Sequence, residues 1–339
     1  MITSEGNTVH TRHSRPSRRA ALVLGAAAAL SWGGGSAQAL PRTGGVTARL
    51  RKLEQEHTAR LGVYARNLRT GRTVAYRADE LFPMASVFKT LAAAAVLRDL
   101  DRDGEFLARR VHYTQEYVTD SGHSPVTEDH VATGMTVAEL CDATIRFSDN
   151  TAGNLLLKEL GGPTAITRFA RSVGDGVTRL DRWEPELNSA EPWRVTDTTS
   201  PRAIGRTYAR LVLGDALQPR DRARLTDWLL RNTTSAEKFR KALPADWLIA
   251  DKTGGGRYGG NHDVGLTWPP DGPPIVMSVL TTQPEEDAPA DNPLVAGTAQ
   301  LLAAELARPE SRTGRRGPAG SSASPAGRGA PGPRGGESR

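Results

Sequence analysis

The sequence predicts a mixed α/β (α+β) fold: one antiparallel sheet built from both ends of the chain, with an all-α subdomain inserted between them. Three observations predict it. Two short strand-like runs, 62–68 and 73–76, are separated by Arg69-Thr70-Gly71-Arg72, which reads as a hairpin. Three further strand-like runs, 247–251, 262–268 and 275–281, follow Pro244. Between the two groups, from about 137 to 230, the apolar residues recur at helical spacing. Two strands from one end and three from the other make a five-stranded sheet with flanking helices and a helical insert.

Taken in order, the chain opens with an export signal rather than with the fold. Arg18 and Arg19 form a twin-arginine pair, an apolar run spans 20–30, and Ser36-Ala37-Gln38-Ala39 supplies an A-x-A cleavage site. The run is roughly half the length of a membrane-spanning helix, so cleavage after Ala39 is expected and not anchoring. Residues 1–39 are thus a signal peptide, and the mature protein is expected outside the cytoplasm. A helix over 47–60 comes next, then the hairpin, then an apolar helix over 84–97 with Pro83 ahead of it. Loops in the helical middle are marked by Gly161-Gly162-Pro163 and by the polar stretch 180–201. Pro269-Pro270-Asp271-Gly272-Pro273-Pro274 turns the chain between the last two strands, and a final helix covers 294–307. The folded domain is expected over 40–308. From 309 to 339 the chain is Gly, Pro, Ser and Arg, a composition that cannot bury a core and reads as a disordered tail.

The formal charge of +6 belongs to the two ends. Residues 1–39 hold four Arg and one Glu, residues 309–339 six Arg and two Glu, and the remainder 34 basic against 35 acidic residues. A near-neutral domain gives no footprint for nucleic acid. Cys141 is the single cysteine, so no intrachain disulfide forms; its apolar helical neighbours Val137, Leu140 and Ile145 make it a small buried hydrophobe.

Ser86 and Lys89 stand out at the start of the apolar helix. At i and i+3 they share a face. Free N–H groups and the positive end of the helix dipole surround the hydroxyl, and a desolvated amine can lose its proton and act as a base. The pair therefore suits an activated nucleophile. Alone it is a weak signal, because Ser235-Ala236-Glu237-Lys238 repeats the spacing. Two further tripeptides strengthen it: Ser148-Asp149-Asn150 at a break between helices, and Lys252-Thr253-Gly254 after the strand at 247–251. The order S-x-x-K, S-D-N, K-T-G belongs to serine β-lactamases and penicillin-binding proteins. A fourth segment, Arg182-Trp183-Glu184-Pro185-Glu186-Leu187-Asn188, contains E-x-x-L-N.

With that segment the chain resembles a class A serine β-lactamase from roughly Val46 to Leu306. The resemblance implies an active site between sheet and insert. Ser86 is then the nucleophile, and the backbone N–H groups of Ser86 and Gly255 form the oxyanion hole. Lys89 and Glu184 share the work of taking the Ser86 proton. Ser148 passes a proton to the departing nitrogen and Lys252 holds positive potential beside it. Thr253, with Gly254 beside it, receives the substrate carboxylate, and Asn150 the side-chain amide. Glu184 and Asn188 hold the hydrolytic water. An ion pair of Arg182 with Asp197 is implied to close the polar loop.

Some positions depart from the family. Ala93 stands opposite Cys141 where many members have a disulfide. Asn261 and Asn292 fall where an Arg often reads the carboxylate, and Lys238 is the substitute candidate, against the alternative of a solvated lysine. His123 occupies the place of an aromatic gate residue, or is a plain loop histidine. The stretch 254–259 fits G-x-G-x-x-G, but a strand follows it and not a helix, which excludes a dinucleotide site. The seven His residues show no metal-ligand spacing, so neither metal nor cofactor is expected. The expected partners are small β-lactams, with no nucleic acid, no membrane after cleavage, and a monomeric state. The alternatives are a DD-peptidase or penicillin-binding protein, disfavoured by Glu184 and Asn188, and a β-lactam sensor domain.

Overall fold

The computed structural model describes residues 43–308; the signal segment and the basic tail lie outside them. Helix α1 (Thr43–Glu56) leads into β1 (Arg60–Asn67) and β2 (Thr73–Tyr76). The insert contains α2 (Phe88–Ala95), α3 (Gln115–Ser121), α4 (Val137–Arg146), α5 (Asn150–Glu159) and α6 (Thr164–Ser172). Helices α7 (Pro201–Val212) and α8 (Pro219–Leu230) return the chain to the sheet, completed by β3 (Leu248–Gly256), β4 (Gly260–Trp268) and β5 (Ile275–Thr282). Helix α9 (Asn292–Leu306) ends the domain.

The sheet is antiparallel in the order β2-β1-β5-β4-β3. The expected five strands are all present. The N- and C-terminal pieces meet where β1 pairs β5, from Arg60 opposite Thr282 to Asn67 opposite Ile275. Leu50 of α1 and Leu294, Leu302 and Leu306 of α9 pack with Leu61, Val63 and Val279 in one core. A second core joins the other face of the sheet to α7, α8 and the insert. All eight residues of α2 are buried, so it is the axis of the insert.

Three sequence expectations shift. Helix α1 stops at Glu56, short of 60, because Thr58 turns the chain with φ +47° and Arg60 is already in the sheet. Ser86 sits in a single 3₁₀ turn, Ala85–Val87, ahead of the α-helix proper. Strand β3 runs to Gly256, so Lys252-Thr253-Gly254 lies inside the strand and not after it. The three glycines look like a loop in sequence, yet the ladder continues from Lys252 opposite Val264 to Gly256 opposite Gly260.

Candidate active site

The site is a seam where β3, the 3₁₀ turn, the start of α5 and the loop 181–197 meet. Gly254 shows how close the seam is: a Cβ there would lie 3.3 Å from both Ala85 Cβ and the Met84 carbonyl oxygen. Ser86 is 7% exposed, and its Oγ donates to Glu184 Oε1 at 3.4 Å. Lys89, one turn on, is fully buried. Its Nζ donates to the Ser148 carbonyl (2.7 Å) and Asn150 Oδ1 (2.6 Å) and lies 3.0 Å from Glu184 Oε1. Three acceptors match the three hydrogens of an ammonium. The Lys89–Glu184 pair is thus a buried ion pair whose remaining hydrogen-bonding capacity is met, the condition under which such a pair is tolerated.

Ser148 lies between α4 and α5 in the left-handed region (φ +59°). That conformation is uncommon for a residue with a side chain and clusters at functional sites. It lets one residue face two lysines, its carbonyl toward Lys89 and its Oγ toward Lys252 Nζ at 3.0 Å. Asp149 caps α5 by accepting from Ala152 N–H (2.8 Å), and its carboxylate also holds Val126 and Thr127 N–H. Asn150 is therefore not the cap. Its Oδ1 takes Lys89 and its Nδ2 donates to the Ser121 carbonyl at 3.0 Å, leaving one N–H. His123 is exposed at the edge, and its carbonyl accepts Asn150 N–H at 2.8 Å.

Lys252 is fully buried and also donates to the Thr253 carbonyl (2.8 Å). Burial, then the neighbouring charges of Lys89 and Lys238, push its amine well below the ordinary lysine range. Thr253 Oγ1 meets Thr234 Oγ1 at 2.5 Å. Lys238 is half-buried, with Nζ 3.5 Å from the His262 carbonyl; burial lowers its pKa, against the opposing charges of Asp263 and Asp251. It is not a freely solvated lysine. Asn261 Nδ2 donates to Asn292 Oδ1 (3.1 Å), so those two positions satisfy each other. Cys141 is buried, and burial pushes its thiol up, away from reactivity.

The loop 181–197 is closed as the resemblance implies. Arg182 Nε donates to Asp197 Oδ2 at 2.6 Å, and Asp181 and Arg182 N–H both donate to Asp197 Oδ1 (2.7 and 3.0 Å). The Asp197 carbonyl accepts Met84 N–H at 2.7 Å, tying the loop directly to the turn that carries Ser86. Inside it, Asn188 Nδ2 donates to Glu184 Oε2, while Asn188 Oδ1 is buried and has no donor among the described residues. Sequence reasoning missed Asn154, whose amide makes two bonds to the Glu184 main chain: Nδ2 to the carbonyl (2.9 Å) and Oδ1 from the N–H (3.0 Å). Its position four residues after Asn150, on the same face of α5, was the available signal.

A buried serine, two buried lysines and a loop carboxylate thus converge on one cleft. Residues 45–306 match the β-lactamase enzyme family. The chain belongs to that family. β-Lactamases of Streptomyces lavendulae and Streptomyces fradiae are each 67% identical to it, over 87% and 86% of this chain and 99% and 97% of theirs. The solved β-lactamase from Streptomyces albus G superposes with a TM-score of 0.77 at 64% identity, covering 77% of this chain and 99% of that one. An ancestral class A β-lactamase superposes with a TM-score of 0.73 at 50% identity, over 77% of this chain and 100% of that one. The fold is that of the class A β-lactamases.

Proposed function

We propose that the chain is a serine β-lactamase that opens the β-lactam ring on Ser86 and releases the product by hydrolysis. The observation that carries this is the contact set of Glu184: Ser86 and Lys89 on Oε1, Asn188 on Oε2. In acylation, Ser86 Oγ attacks the ring carbonyl and its proton passes to Glu184, because Lys89 is fully occupied by acceptors. The oxyanion is held by the N–H groups of Ser86 and Gly255. The C–N bond breaks, and the nitrogen takes the Ser148 Oγ proton, which Lys252 replaces. The proton that Glu184 took from Ser86 is returned to Lys252, so Glu184 is a carboxylate again. In deacylation Glu184 removes a proton from water, which attacks the ester, and the proton returns to Ser86 Oγ. The buried, donor-free Asn188 Oδ1 supplies the second acceptor for that water. A role limited to acylation, as in a peptidase or a sensor, leaves the Glu184–Asn188 pair unexplained.

The Asn150 N–H left over after Ser121 donates to the substrate's side-chain amide, and Thr253, beside Gly254, receives the substrate carboxylate. Lys238 faces the same carboxylate from beyond β4. A charge-assisted hydrogen bond of this kind contributes about 1.5–3 kcal/mol. Lys238→Ala is therefore expected to raise KM for benzylpenicillin roughly 10- to 100-fold with a smaller change in kcat; steady-state kinetics with KM unchanged would return Lys238 to a packing role. His123 borders the side-chain end of the cleft. The protein acts as an exported monomer on small β-lactams, by the twin-arginine route with cleavage after Ala39.

The test is excess benzylpenicillin followed by ring opening and intact mass. Many turnovers with little final adduct support the reading. One equivalent opened, with a lasting adduct on Ser86, overturns it in favour of a site that is acylated but not cleared.

A further inference from the structure

The connection between β3 and β4 carries a conformational oddity. Tyr258 (φ +54°) and Gly259 (φ +55°) are both left-handed, and Gly260 N–H donates to the Arg257 carbonyl at 3.1 Å. This is a type I′ turn, whose preferred central pair is Asn-Gly. Here an aromatic residue fills the first central position, where left-handed backbone is an outlier. Such strain persists only where the surroundings over-determine it. Tyr258 N–H donates to the Glu286 carbonyl (2.8 Å), its carbonyl accepts Gln283 N–H (2.6 Å), and the residue is only 8% exposed. Its ring meets Trp193 edge-to-face, with centroids 6.3 Å apart and planes at 83°.

Trp193 lies five residues beyond Asn188 in the loop 181–197. It is 73% exposed, so burial does not explain where it rests; Tyr258 does. Loop and hairpin are also joined by a hydrogen bond, from Arg257 N–H to the Asn188 carbonyl at 2.9 Å. Directly beside it, a Cβ on Gly256 would come within 2.9 Å of that same carbonyl oxygen, so the two walls are already in close contact.

We infer that Trp193 and Tyr258 form an aromatic clasp that holds the loop against the β3–β4 turn, keeps the cleft narrow at Gly256 and disfavours β-lactams with bulky side chains. The inference rests on the β-lactamase reading above. Both are positioning residues: neither reaches the reacting atoms. An edge-to-face pair sustains roughly a 2- to 10-fold bias between closed and open arrangements, which sets the size of the effect.

Tyr258→Asn separates clasp from strain, because Asn suits the turn. In the full chain this variant is expected to keep or raise its melting temperature. Its kcat/KM for methicillin, whose dimethoxyphenyl ring abuts the side-chain carbonyl, should rise about 3- to 10-fold relative to benzylpenicillin. Trp193→Ala should shift that ratio equally, Tyr258→Phe should restore it, and the double variant should match either single one. A ratio within about twofold of the parent in both single variants, or a double variant whose shifts multiply, overturns the clasp. If the parent fails to turn over benzylpenicillin at all, the β-lactamase reading fails first and the clasp falls with it.

Discussion

Glu184→Ala is acylated by benzylpenicillin and holds the product. The nucleophile and the oxyanion donors are untouched, and Lys89, released from its ion pair with residue 184, takes the Ser86 proton in the first step. The group that would deprotonate the attacking water is gone. Loss of a general base slows its step by about 10²- to 10⁴-fold, so the ester becomes the resting state. The variant should still fold around the site. Lys89 keeps two of its three acceptors, the Ser148 carbonyl and Asn150 Oδ1. Asn154 keeps both bonds to residue 184, because both go to its main chain. Intact mass after brief mixing should show one substrate mass added per protein, persisting for many parental turnover times. A folded variant with no adduct would mean that Lys89 cannot replace Glu184 in the first step and that the ester is never formed.

Ser86→Ala should lower turnover by about 10⁶-fold, the scale on which removing a serine nucleophile acts. The only hydrogen bond of Ser86 Oγ within the described residues goes to Glu184 Oε1, which retains Lys89. Truncation thus strands no buried donor, and stability should change by less than about 1 kcal/mol. The substrate pocket survives, so benzylpenicillin should still raise the melting temperature without forming any adduct. Hydrolysis near the parental rate would mean that another residue carries the acyl group.

How much of this was legible beforehand follows from range. Ser86 and Lys89 are one helical turn apart, Ser148 and Asn150 share a tripeptide, and Glu184 and Asn188 share a single loop. Short spacings survive in the sequence as patterns. The five strands were legible for the same reason, each being a local run of alternating or β-branched residues. The end of β3 was not, because Gly254–Gly256 carry no side-chain signal and only pairing with β4 makes them strand. Asp149 anchoring the 126–127 backbone and Thr234 meeting Thr253 each join residues about twenty positions apart. Trp193 against Tyr258 spans a still longer gap. No periodicity encodes such meetings. Lys238 shows the same limit: its letter left a carboxylate-binding role and a solvated one both open, and only the fold places its Nζ against the His262 carbonyl.

The pairing of β1 with β5 has a consequence for how this molecule comes into being. Arg60 waits for Thr282. As the chain is made, Ser86, Lys89, Ser148 and Glu184 all emerge before any of β3, which brings Lys252. The helical insert can condense from local contacts, but closing so long a loop makes the sheet the slow step. Until the last strand arrives, β1 has an open edge, the kind of surface on which chains stick to one another. A ribosome that stalls after residue 250 would therefore release a nucleophile without a cleft wall, and a chain prone to aggregate. Function and solubility are both conferred by the final stretch of synthesis.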